Sequence, residues 1–247
     1  KANEITQKLN EYNRKRQEIQ KKIFNEAIKK IENEKIEDAI ILGQEGWHHG
    51  VIGIVSSKIT ELYNKPSILV CFEGEEGKGS GRSIPGFDLH SALCDTSDYL
   101  EKYGGHSMAV GLSLKKKNIG EFLGENTELS KKTLKYFGES FDFKNIHIIQ
   151  GMRIFLSTFQ LPSEGQQIDR ILESFSNKYF LDNKNSFFPN SDCVFYLTYA
   201  IMILQTELHN PNVKNKMTPE RFIKIFEAKE YQNLTKEYLE DIYEQIQ

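Results

Sequence analysis

The stretch MRIFLSTFQLPSEGQQIDRILESFSNKY, residues 152–179, decides the architecture of the second half of the chain. Together with Ile148, its residues Met152, Phe155, Leu156 and Phe159 recur at helical spacing and define one apolar face. Leu161-Pro162 interrupts that face, because proline lacks the N–H a helix interior needs. Ser163 is placed to cap the next helix, with Gln166 three residues on at capping-box spacing. Ile168, Ile171, Leu172, Phe175 and Tyr179 then continue as a second inner face.

The pattern extends to the end of the chain. Val194–Leu204 is eleven residues with only Thr198 hydrophilic, and it predicts a central buried helix rather than a membrane span. Asn210-Pro211 is helix-stop chemistry. Thr218-Pro219 predicts an N-cap with proline in the first turn, and Thr235 opens a last helix carrying Tyr238, Leu239, Ile242 and Ile246.

Upstream the texture changes. Ile5, Leu9, Tyr12, Ile19, Ile23, Ala27 and Ile31 form one stripe on a long amphipathic helix over residues 4–32. Residues 39–42, 66–72 and 109–114 predict strands, and 51–63 returns to helical spacing. The turn at 43–50, GQEGWHHG, lies between strand and helix, a layout that aims backbone N–H groups at an anion. The segment EGKGSGRSIPG, 76–86, brings Lys78 and Arg82 into a glycine-rich loop. Spacing alone leaves two readings of it: a phosphate cradle, or a solvated β-hairpin. His106, after Gly104-Gly105, is open in the same way between ligand and structural histidine.

Composition bounds the function. The chain has 247 residues, 16 Phe and 11 Tyr, enough for a sizeable core. Residues 1–117 hold 18 basic and 17 acidic side chains, net +1, which leaves −4 of the total −3 for residues 118–247. No polybasic field holds nucleic acid unaided. Cys71, Cys94 and Cys193 are odd in number and far apart, so neither a disulfide framework nor a Cys-rich zinc site is available, and a reducing, cytoplasmic setting is expected. A chain beginning at Lys1 with no signal peptide is expected to be a piece of something longer.

Four ordered motifs, GWHHGVIGIVSSKI, KPSILV, GKGSGRSIPGFDLHSAL and YGGHSMAVGLSL, resemble the C-terminal DHH-associated domain of RecJ-type single-strand-specific exonucleases. The resemblance covers about 1–117: a long linker helix over 1–36, then a nucleic-acid-binding domain over 37–117. It implies a small mixed sheet with flanking helices that holds a strand, single-stranded DNA being the expected partner. Trp47, His48, Lys78, Arg82, Ser83, Gly105 and His106 fall in its substrate-binding motifs. A stacking aromatic beside a basic glycine loop suits single strands on physical grounds too. In that family cleavage uses divalent metal held by Asp and His in a preceding domain. Asp38, Asp88, Asp95 and Asp98 form no such cluster, so binding without turnover is expected and no metal site is assigned.

From about 118 to the end, residues 152–179 and YAIMILQTELHNPNVKNKMTPERFI resemble the Arf guanine-nucleotide exchange domain, the Sec-seven domain. The resemblance implies an all-α domain, so the fold class expected of the whole chain is α+β followed by all-α. It places a glutamate finger on Glu164 and a GTPase-gripping apolar groove at Phe159, Met202, Thr206, His209 and Asn210. A carboxylate about 4 Å from a phosphate costs roughly 4 kcal/mol at an effective dielectric near 20, enough to speed nucleotide loss on the order of a thousandfold. Magnesium and guanine nucleotide would belong to the partner, an Arf-type small GTPase, and this chain would bind no cofactor itself. Read alone, Glu164 equally suits the dipole of a first helical turn, Asn210 a helix terminator, and Phe155 and Phe159 a core. The sequence departs from the family pattern at Gln160, Ser163 and Gly165, at Gln205-Thr206-Glu207, and over 227–233. The domain's N-terminal helices are replaced by the first module.

Overall fold

A computed structural model describes residues 2–33, 38–184, 187–228, 231 and 233–247. The chain divides into two compact units, Lys1–Ile119 and Gly120–Gln247.

The first unit contains α1 (Ala2–Asn33), β1 (Ile40–Glu45), α2 (His49–Tyr63), β2 (Ser67–Glu73), β3 (Glu76–Arg82), α3 (Leu89–Cys94), a single 3₁₀ turn at Ser97–Tyr99, β4 (Lys102–His106) and β5 (Ala109–Lys115). The strands form one sheet in the order β1-β2-β3-β5-β4, parallel between β1 and β2 and antiparallel elsewhere. Successive residues of a strand face opposite sides, so each side has its own core. On one side Ile40, Leu42, Leu69 and Cys71 pack under Val51, Val55 and Ile59 of α2 and Ile23, Ala27 and Ile31 of α1. Ser67 Oγ lies 2.7 Å from Ser56 Oγ and 2.8 Å from Thr60 Oγ1, so α2 is stitched to β2 by hydroxyls inside this apolar layer. On the other side Leu89 and Leu93 of α3 cover Val110 and Leu112.

Both readings of residues 76–86 are now separable. The alternation Gly-Lys-Gly-Ser-Gly-Arg is the period of a strand, β3, and its glycines face the α3 side of the sheet. A Cβ on Gly79 would stand 2.8 Å from Leu112 Cγ; one on Gly81 would stand 2.8 Å from Val110 Cγ2 and 2.9 Å from Leu89 Cδ2. These glycines make room for core side chains, and a phosphate cradle is not what they build. A strand of glycines carries no hydrophobic alternation, which is why residues 76–82 do not declare themselves in the sequence.

α4 (Lys116–Gly124) follows β5 directly and runs across the boundary between the units. The second unit continues with α5 (Glu128–Glu139), α6 (Ile148–Leu156), α7 (Gly165–Asp182), α8 (Ser191–His209), α9 (Pro219–Lys224) and α10 (Lys236–Ile246). Its core is aromatic. Phe155 sits 5.4 Å from Phe137, 5.2 Å from Phe141 and 5.4 Å from Phe175, ring centre to ring centre. Thr218 and Thr235 cap α9 and α10 by accepting from the backbone N–H of Arg221 and Tyr238. The cap of α7 lies one residue later than Ser163: Glu164 holds that position, its carbonyl accepting from the N–H of Gln167 and Ile168. The departure from the family pattern at 227–233 falls partly on residues 229, 230 and 232, outside the described residues.

Candidate functional site

Two surfaces emerge, one in each unit. In the second, the loop between α6 and α7 is held from both sides. Phe159 is 3% exposed, its ring 5.8 Å from those of Phe137 and Phe155, and Pro162 is buried. A Cβ on Gly120 of α4 would come within 1.9 Å of Gln160 O, so only glycine lets α4 press against this loop. Anchored this way, the loop leaves Ser163 and Glu164 exposed. Glu164 makes no side-chain capping bond to its own helix. Phe159, expected to touch a partner, instead belongs to the core: its contribution is to seat the loop.

α7 and α8, joined by residues 183–190, pack antiparallel along their length. Ser176 Oγ and Thr198 Oγ1, 3.3 Å apart, set the register. Twelve residues back from Ser176 is Glu164; twelve forward from Thr198 is Asn210. At about 1.5 Å per residue both lie roughly 18 Å from the pairing point, at the same end of the helix pair.

The outer face of α8 leads to that end. Tyr196, Tyr199 and Ile203 are 54%, 44% and 40% exposed, with Met202 half-buried and Thr206 exposed beside them. Spacing of three, four and three puts Tyr196, Tyr199, Ile203 and Thr206 on one stripe. Met202 and Thr206 were expected at a partner surface, whereas Tyr196, Tyr199 and Ile203 were not, since an eleven-residue apolar run reads as buried. The tyrosine hydroxyls at 196 and 199 were the available signal, since a buried tyrosine needs a partner for its O–H. At the end of the stripe Asn210 closes α8: its Oδ1 accepts from Asn212 N at 2.9 Å and its carbonyl from Lys216 Nζ at 2.6 Å. His209, expected to contact a partner, is turned to α10, Nε2–H donating to Ile246 O at 2.8 Å.

In the first unit the sheet face beneath α2 is only half covered, because α2 lies over β2 and β3. The part over β5 and β4 is open, a shelf bordered by β3, where a Cβ on Gly53 of α2 would stand 2.8 Å from Ser80 Oγ and 3.3 Å from Arg82 Nη2. Ser80, Gly111 and Gly104 form its central row, Lys78, Ser113 and Lys102 the row on one side, and Arg82, Ala109 and His106 the row on the other. Around Gly104 nothing lies within 4 Å of a built Cβ, and Gly111 meets only Gly79 O at 4.0 Å. Lys78, Lys102 and His106 are exposed at the shelf's corners. Four residues of strand separate the Lys78 and Arg82 ends, roughly 13 Å. Arg82 is half-buried, its Nη1 donating to Gly81 O at 2.7 Å and Ser80 Oγ at 3.2 Å. His106 Nδ1 accepts from Met108 N at 3.3 Å. Gly105 has φ +139, and a Cβ there would stand 2.2 Å from Ala109 O, so glycine alone permits the turn into His106.

His48 caps α2, its Nδ1 accepting from Gly50 N at 3.1 Å, and its exposed ring stacks on His49 at 5.2 Å. Two expectations are corrected. Trp47 is 4% exposed, sits in the α1–α2 core and donates Nε1–H to Glu26 Oε2 at 2.8 Å, so no face is open for a base. Ser83 is buried with its hydroxyl donating to Phe87 O at 2.7 Å; it shapes the turn after β3. Lys102 belongs to the shelf through cross-strand register, which the sequence does not display. Among the described residues there is no cluster of His, Cys, Asp or Glu able to hold a metal ion, and no helix is long and apolar enough to cross a membrane.

Comparison with known proteins finds two families along the chain, overlapping over residues 105–132. Residues 27–132 match the DHHA1 domain family model and residues 105–247 match that of the Sec7 domain. Human cytohesin-3 is 41% identical over 159 residues, 64% of this chain and 38% of that protein. Mouse brefeldin A-inhibited guanine nucleotide-exchange protein 1 is 38% identical over 130 residues, 52% of this chain and 7% of that one. The chain thus spans well under half the length of these curated relatives. A solved chimera of the Rickettsia prowazekii RalF Sec7 domain with the Legionella pneumophila RalF capping domain superposes with TM-score 0.51 at 34% identity, covering 54% of this chain and 38% of that one. With more than half its length matched, and a DHHA1 match that overlaps its start, the chain belongs to the Sec7 domain family.

Proposed function

We propose that the C-terminal unit catalyses guanine-nucleotide exchange on an Arf-type small GTPase, with Glu164 as the catalytic group. The observation that carries this reading is the placement of an exposed carboxylate, making no side-chain bond to its own helix cap, at the end of the α7–α8 pair toward which the exposed apolar stripe of α8 runs. Tyr196, Tyr199, Met202 and Ile203 would bury an apolar switch segment of the GTPase, and Asn210 would border it near Glu164. Once docked, the carboxylate approaches the β-phosphate and its magnesium, repelling the first and competing for the second. No covalent step is involved. The name of the mouse relative, a guanine nucleotide-exchange protein, supports the same chemistry. The test is release of fluorescent GDP from an Arf-type GTPase by the intact chain and by Glu164→Lys. Loss of stimulated release on the order of a hundredfold or more is expected, while equal rates from both proteins would remove the proposal.

A second reading, favoured by the glycine shelf, is that the first unit binds single-stranded nucleic acid without cleaving it. Its flat floor admits bases or sugars close to the backbone, with Lys78, Lys102, Arg82 and His106 available to phosphates. A net charge of +1 over residues 1–117 makes such binding weak and steeply salt-dependent.

A further inference from the structure

Helix α10 is anchored through its last turn, and two of its anchors flank the turn at the end of the proposed GTPase groove. The final carbonyls of a helix have no partner within it and carry the negative end of its dipole. Arg153 of α6 donates Nη2–H to Gln245 O at 2.8 Å, and His209, last residue of α8, donates Nε2–H to Ile246 O at 2.8 Å. One turn earlier on α10, the buried Tyr243 donates its hydroxyl to Met217 O at 2.7 Å. His209 and Met217 bracket residues 210–216, the turn in which Asn210 accepts from Asn212 N, Val213 N and Lys216 Nζ. Both ends of the turn that borders the groove are therefore fastened to α10.

We infer that His209 is a positioning residue that does not itself touch the GTPase: with Tyr243 it clamps the Asn210–Lys216 turn to the C-terminal helix and so sets the shape of the groove's far end. The inference rests on the exchange reading above for its functional consequence, but the clamp is a property of this chain alone. Glu164 lies on the other helix of the pair, so loosening the turn should weaken docking and leave the nucleotide-release step intact. One neutral hydrogen bond corresponds to roughly three- to tenfold in an equilibrium.

The experiment uses the full chain and an Arf-type GTPase loaded with fluorescent GDP, over a range of GTPase concentrations. His209→Ala should raise KM about three- to tenfold with kcat within about twofold. His209→Gln, whose amide can reach the same carbonyl, should return KM to within about twofold of the parent. Tyr243→Phe, acting on the other end of the turn, should raise KM in the same direction. In parallel, hydrogen exchange at the Asn212 and Val213 amides should quicken in His209→Ala and return to the parent rate in His209→Gln. An unchanged KM in His209→Ala, a KM raised equally by the glutamine variant, or a fall confined to kcat would overturn the inference. If the parent chain itself releases no GDP, the exchange proposal falls. Hydrogen exchange then decides the clamp alone: faster amides in His209→Ala support it, unchanged amides refute it.

Discussion

Gly79 and Gly111 face each other's strands across β3 and β5, yet they stand on opposite sides of the sheet, and substituting them should have opposite effects. At Gly79 a single added methyl would sit 2.8 Å from both Leu112 Cγ and Cδ1. Leu112 is 9% exposed and belongs to the α3-side core, so relief requires that core to shift. Overpacking of this kind costs about 1–3 kcal/mol. At Gly111 a Cβ meets nothing closer than 4.0 Å, and replacing glycine in a strand interior recovers about 0.5–1 kcal/mol of backbone entropy. Trp47, the one tryptophan of the chain, is buried in the first unit and reports that unit's unfolding by fluorescence. Gly79→Ala should lower its urea midpoint and Gly111→Val should hold or raise it. In the same samples, anisotropy of a labelled single-stranded oligonucleotide at low salt should show Gly111→Val binding at least about tenfold more weakly, because its methyls lift a ligand off the shelf floor. If Gly111→Val destabilises the unit as Gly79→Ala does, the assignment of faces is wrong. If it leaves oligonucleotide affinity untouched, the shelf is not where a strand lies.

The second unit should be acid-labile through His147. Burial holds its imidazole below the ordinary 6.5, with Asp241, whose Oδ2 lies 3.2 Å from Nε2 but out of line for a hydrogen bond, partly opposing. A group with a depressed folded pKa favours folding while neutral, so stability is full above 6.5 and falls as pH drops through the folded value. His147 Nδ1 also accepts from Ile149 N at the start of α6, so protonation removes that cap. Urea midpoints against pH should show the decline, and a curve for His147→Asn no flatter than that of the parent below pH about 6.5 would contradict it. Thiol labelling should find one fast cysteine in the native chain, the exposed Cys94, and three in denaturant. Burial raises the Cys71 thiol and pushes Cys193 up to about 11, so rapid native labelling of either would show that its unit is open.

Much of the architecture was legible because the residues that make it are periodic. The helix α1, the inner faces of α6 and α7, and the threonine caps of α9 and α10 all depend on neighbours within a few positions, although of the α1 stripe only Ile23, Ala27 and Ile31 are buried and Ile5, Leu9, Tyr12 and Ile19 are exposed. Strands β3 and β4 were not legible: glycines alternate or cluster with charged and polar residues in them, and their partners are Leu112, Val110 and Leu89, brought from elsewhere in the chain. The site divided along the same line. Residues named for chemistry alone were sorted by packing, which buried Trp47, Ser83 and Phe159 and brought Tyr196, Tyr199 and Ile203 to the surface.

By itself the sequence determined that there are two modules of different texture, where α8 ends and where α9 and α10 begin, and that Glu164 follows a helix-breaking Leu-Pro pair. Tertiary structure decided which sheet face each glycine occupies, which face of α8 meets solvent, and that His209 turns to α10. The reason is physical: helix periods and caps are short-range, whereas exposure is settled by what the rest of the chain leaves uncovered.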